Sequence, residues 1–174
     1  MPNATRPNSN EYAPPFGKYV ELVPKGDVVS ILATQLDDLQ QTLSNVAETD
    51  ALKLHPPYTW TAKQVVGHII DSDRVFGHRA HWIARNGGTP LAGFDETAFM
   101  DAADFNRWSL AELLEEFAHV RRGNIALFQH LDPAAWTRQG VASDHPATVR
   151  AMAYVMAGHV QHHLGILQQR LSVR

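Results

Sequence analysis

Thr61-Ala62-Lys63-Gln64-Val65-Val66-Gly67-His68-Ile69-Ile70-Asp71-Ser72-Asp73-Arg74-Val75-Phe76 is the stretch that decides how this chain folds. Thr61 and Gln64 have the spacing of a capping box, in which each side chain serves the other residue's backbone N–H. Behind that signal Val65, Val75, Phe76, Trp82 and Ile83 return at helical spacing and mark one inner face. The spacing predicts a helix from Thr61 to about Asn86, where Gly87-Gly88-Thr89-Pro90 stops it. His68 falls in the middle of the inner face.

The same rules give three more long helices. Val28, Leu32, Leu36, Leu39, Leu43 and Val46 predict one from Asp27 to Glu48, before His55-Pro56-Pro57-Tyr58 breaks the chain. Ser109 and Glu112 form a second capping box and open a helix to about Leu131, closed by Asp132-Pro133. Pro133-Ala134-Ala135-Trp136 reads as a short turn of helix, and the last long helix runs from Thr148 to about Leu171. With little strand signal and no internal repeat, the expected fold is all-α, a four-helix bundle. Residues 1–24, rich in Pro and Asn, are expected to form an extended arm ahead of a single domain at 25–174. Residues 87–108 make a long connection between the second and third helices. Compact domains rarely carry one without use, so it is a candidate lid or site wall.

Composition narrows the chemistry. The 174 residues are 44% apolar and 19% charged, an ordinary globular balance. A net charge of −3 argues against a nucleic-acid partner. No apolar run approaches the ~20 residues of a membrane span, and the N-terminus lacks the apolar core of a signal peptide. A cytoplasmic protein with no membrane partner is expected. There is no cysteine, which removes thiolate nucleophiles and Cys-based zinc sites, yet there are ten histidines.

Facing separates the histidines, because each helical residue advances about 100°. On the last helix Met152, Val155, Met156, Ile166 and Leu167 set the inner face, with His159 near its centre. His163 is offset by about 40°, and His162 by about 60° the other way, toward the edge. On the Thr61 helix His78 is marginal and His81 points away. Three imidazoles, His68, His159 and His163, therefore project inward, two of them one helical turn apart. Two readings stand at this point. They are hydrogen-bonded core residues, or they converge on one metal ion, with room left for water or substrate. His-Glu-x-x-His is absent, and in the one Glu116-Phe117-Ala118-His119 match to di-iron bundles both polar residues face away from Leu113, Phe117 and Val120.

Two motifs resemble those of the DinB superfamily, especially its YfiT-like branch. Trp60-Thr61-Ala62-Lys63-Gln64-Val65-Val66-Gly67-His68-Ile69-Ile70-Asp71 is similar to the first metal motif, and Gly158-His159-Val160-Gln161-His162-His163 to the second, whose first and last His are ligands. Arg79, Ala84-Arg85, Phe94-Asp95-Glu96 and Arg121 also look like family positions, and the resemblance runs from about residue 20 to 171. It implies a four-helix bundle of DinB/YfiT-like type, a three-His site for a divalent transition metal, and a homodimer. By ligand type Ni or Zn leads. Members are described as metal-dependent hydrolases, as transferases of low-molecular-weight thiols such as bacillithiol, mycothiol or glutathione, or as maleylpyruvate isomerases.

Groups near the ligands carry the remaining expectations. Arg79 lies within about 20° of His68 on its helix face. Arg121 and Asn124 interrupt the apolar face of Leu110, Leu113, Phe117, Val120, Phe128 and Leu131. Inward arginines either meet a carboxylate (Asp71, Asp73 or Asp95) or open onto a cavity, where a fork of N–H groups would hold an anionic small-molecule substrate. Asp71 could orient a ligand imidazole from behind. His162 is a candidate general base. Three functions follow: a metal-dependent hydrolase, a transferase using a low-molecular-weight thiol cosubstrate, or a non-catalytic metal-binding or stress-response protein.

Overall fold

The computed structural model describes residues 5–172, so residues 1–4 of the expected arm and residues 173–174 lie outside the described part. Four long helices carry the fold: α2 (Val28–Leu43), α4 (Ala62–Ala84), α6 (Leu110–Gln129) and α7 (Val149–Ser172). Short helices α1 (Gly17–Leu22), α3 (Glu48–Ala51) and α5 (Glu96–Ala102) fill the connections, and a hairpin of β1 (Gln139–Ala142) and β2 (His145–Thr148) leads into α7. Both capping boxes form as read, Thr61 with Gln64 and Ser109 with Glu112. The predicted first helix is shorter than expected, ending at Leu43.

α2 and α4 each pack against both α6 and α7. The first two long helices, α2 and α4, therefore stand on one diagonal of the bundle, with α6 and α7 on the other. The apolar core divides into two clusters, one around Leu32, Phe76, Phe128 and Met156, the other around Leu39, Ile69, Phe117 and Leu164. Between them lies a buried polar layer. Arg121 donates to both carboxylate oxygens of Asp73 at 2.7 and 2.8 Å and to Gln35 Oε1 at 2.9 Å. Gln35 Nε2 donates in turn to the Ala157 carbonyl, and Asn124 to the Asp73 carbonyl. One network thus fixes all four long helices at the level of the inward histidines.

The structure corrects the extended arm. Residues 9–11 and 14–16 form single turns, and α1 packs along α7 with Val20 and Val23 buried. Tyr19, Val20 and Val23 supply apolar surface that a Pro- and Asn-rich composition hides. Glu11 locks the segment down by pairing with Arg150 and accepting from Thr148 Oγ1, which holds its carboxyl near 2, well below the usual carboxylate range. The 87–108 connection is not structureless either. It contains α5, and Leu91 pairs with the hairpin through Val141 and Ser143.

Candidate metal centre

α4 and α7 are neighbours, and their register brings the three inward histidines together. His68 Nε2 lies 2.9 Å from His159 Nε2, which is 3.1 Å from His163 Nε2. All three offer a nitrogen within 4.8 Å of one another. An imidazole nitrogen carries either one proton or one lone pair, so His159 Nε2 cannot serve both neighbours well as a hydrogen-bond partner. Charging the rings is no remedy. Burial, followed by the other histidines' charges, pushes His159 well below its usual pKa. Burial lowers His68 to about 4 and His163 to about 3.

Three neutral imidazoles aimed at one point fit a single cation. Nitrogen ligands at about 2.0–2.1 Å in tetrahedral array stand about 3.3 Å apart, close to the spacing found here. The Nδ1 atoms of His159 and His163 are buried without a hydrogen-bond partner, so ring contacts rather than polar partners orient these side chains. Tyr19 and Phe76 meet His159 edge-on, with centroids 5.2 and 5.7 Å away, and the Trp60 ring lies 5.0 Å from His68.

The structure separates the surrounding residues. Asp71 faces Arg74 at 3.7 Å and orients no imidazole, which corrects the expected supporting role. Arg121 is fully buried and bound to Asp73 and Gln35, so it cannot reach a substrate, and Asn124 is committed to the Asp73 carbonyl. Arg79 is tied elsewhere through one of its nitrogens. Its Nη2 donates to the Ala92 carbonyl and to Ser143 Oγ at 2.9 Å each, clasping the 87–108 connection and the hairpin to α4. His162 is half-buried outside the three-nitrogen cluster, its ring against Tyr19 and His163, and burial followed by Lys18 lowers its pKa.

Two further side chains stand near the histidines: Glu96, which the sequence marked only as part of the Phe94-Asp95-Glu96 family stretch, and Arg170, which it did not mark at all. Glu96 Oε2 stands 4.0 Å from His68 Nε2, on a side chain 61% exposed. Asp95 caps α5 by accepting from Thr97 and Ala98, which sets Glu96 in the first turn facing the site. The sequence placed Glu96 within the 87–108 connection, and the helix α5 that turns it toward His68 was not legible there. The second is Arg170, seven residues beyond His163 on α7, which shares a cavity with it. That spacing was legible, though an arginine in a last helical turn is commonplace.

The fold and this cluster define a class: helical bundles with three histidines converging from neighbouring helices. The chain belongs to the DinB superfamily, whose sequence profile spans residues 31–167. The fold is also that of YfiT from Bacillus subtilis, described as a probable metal-dependent hydrolase with an unusual four-helix bundle topology. The two share 20% identity over 98% of each chain, with a TM-score of 0.72. No curated protein sequence matches.

Proposed function

We propose that His68, His159 and His163 hold one divalent transition metal ion and that the protein is a metal-dependent hydrolase of a small molecule. The observation that carries this is the approach of three neutral imidazole nitrogens, 2.9 and 3.1 Å apart in succession, that cannot satisfy one another. The description of YfiT as a probable metal-dependent hydrolase points the same way. A bound ion supplies Lewis acidity, polarising a substrate oxygen and making water more acidic. The chain supplies the rest. Glu96, exposed and 4.0 Å from His68 Nε2, can take a proton from the attacking water and return it to the leaving group. Trp60, Tyr19 and Phe76 wall the histidines on their apolar sides and keep their rings aimed. Ni or Zn suits the nitrogen ligands. Two copies are proposed to pair about a two-fold axis, and sedimentation showing only a monomer at micromolar concentration would refute that.

Elemental analysis of purified protein tests the metal. About one equivalent per chain is expected, with alanine at any of the three histidines lowering affinity by orders of magnitude and His162→Ala retaining the metal. A folded protein that takes up no transition metal between pH 6 and 8 would overturn the proposal. Glu96→Gln should keep the metal and lose about 10²–10⁴-fold in hydrolysis of an ester or amide substrate. Turnover that needs an added thiol instead of water would replace hydrolysis with thiol transfer.

A further inference from the structure

Three arginines are buried among the described residues, and they differ in what they hold. Arg121 has Asp73 and Gln35; Arg79 has a carbonyl and a hydroxyl. Arg170, only 4% exposed, gives one hydrogen bond, from Nη2 to the Trp60 carbonyl at 2.7 Å. Its Nε and Nη1 are buried with no acceptor, and among the described residues no carboxylate pairs with it. The Tyr58 ring lies 5.1 Å from the guanidinium carbon, covering a face of the group. Stacking of that kind occupies the face and leaves the N–H edge free. A guanidinium shielded from water with most of its five N–H groups idle is costly unless an anion completes it.

The place of this group says which anion. Arg170 and His163 line one cavity of about 230 Å³, with Trp60, Val65 and Ile166 as its apolar walls. Arg170 also borders a second cavity of about 400 Å³ beside His55 and Tyr58. Seven residues of helix separate the two by about 10 Å along the axis, and helical side chains lean toward the N-terminus, so Arg170 reaches back toward His163. Trp60 joins the ends, its ring on His68 and its carbonyl on Arg170.

We infer that Arg170 is the substrate-binding residue of this site and that the substrate is a small organic acid, its carboxylate or phosphate held at Arg170 and its other end facing the three histidines. This rests on the metal proposal for the reacting end but not for the anion end.

Calorimetric titration of the full chain, with metal content measured on the same sample, tests it. The probes are succinate, inorganic phosphate and neutral succinamide. At least one anion should bind, with succinamide at least about tenfold weaker than succinate. Arg170→Met should weaken the anion about ten- to a hundredfold while keeping the metal. Ile166→Glu, one turn from Arg170, places a carboxylate in the cavity and should abolish anion binding with Arg170 intact. It serves where Arg170→Met fails to fold. Anion affinity unchanged in either folded variant, or no binding of succinate and phosphate by wild type, would overturn the inference. If wild type takes up no metal, the metal proposal fails alone, and the same titration on metal-free protein still reads Arg170.

Discussion

At the scale of single residues, Asp73 and Arg121 show how a charge survives inside this bundle. Burial pushes the Asp73 carboxyl up, and the Arg121 guanidinium, in bidentate contact, opposes that shift. Breaking such a pair costs more than the pair contributes, because the survivor is left charged and alone. Asp73→Asn or Arg121→Met should each lower unfolding free energy by about 3–5 kcal/mol in urea titration. Arg121→Met combined with Asp73→Leu should recover part of it, and the folded fraction of each variant should keep its metal content. A single variant as stable as wild type would mean the network contributes nothing. The sequence showed that Arg121 faces inward, since that follows from helical spacing alone. It could not choose among Asp71, Asp73 and Asp95, because the choice depends on the register between α4 and α6, which no pattern within one helix encodes. The three histidines needed only facing, and facing was enough to bring them out. Arg170 needed the path of the Tyr58–Trp60 segment over α7 as well.

Between elements, a close approach lies where α1 packs along α7. A Cβ at Gly158 would stand 1.9 Å from the Tyr19 carbonyl oxygen and 2.4 Å from its carbon. Those are backbone atoms and cannot swing aside, so glycine here is demanded by the approach of another chain segment. Gly158→Ala should push α1 outward and take Tyr19 off the His159 ring. The expected loss is about 1–3 kcal/mol, the usual range for overpacking, with faster proteolysis ahead of residue 24. Equal protease resistance in the two proteins would show that α1 is not held by this contact. The long helices were legible because their apolar residues repeat and their caps are explicit. α1 was not, since its few apolar residues bury against a helix far along the chain. The hairpin was missed for a related reason. Its turn sets Ser143 and Asp144 at φ 52° and 62°, without the Asn-Gly or Asp-Gly pair that announces such turns.

For the whole molecule, the histidine cluster couples stability to protons and, on the proposed function, to a metal ion. His68, His159 and His163 are buried as neutral rings, with pKa values of about 4 for His68, about 3 for His163 and well below 6.5 for His159. In the unfolded chain each returns to about 6.5. Below that value the unfolded state binds protons that the folded state refuses, so the metal-free protein loses stability as pH falls from about 6.5 toward 4 and is flat above it. Asp73, with its pKa raised by burial, pulls the other way. A triple variant, His68→Gln with His159→Gln and His163→Gln, should therefore lose most of the slope and isolate the imidazoles. The proposed metal ion would act on the same balance, because the three nitrogens converge only in the folded arrangement. At free metal about a thousand times Kd it should add about 4 kcal/mol, and chelation should remove it. Thermal melts at pH 5.5 and 7.5, with and without a chelator, read both effects. Loaded protein should melt highest at pH 7.5, and stripped protein should melt lower at pH 5.5 than at 7.5. A stripped wild type that melts alike at both values, with no rise on restoring metal, would show that the histidines are packed for some other purpose.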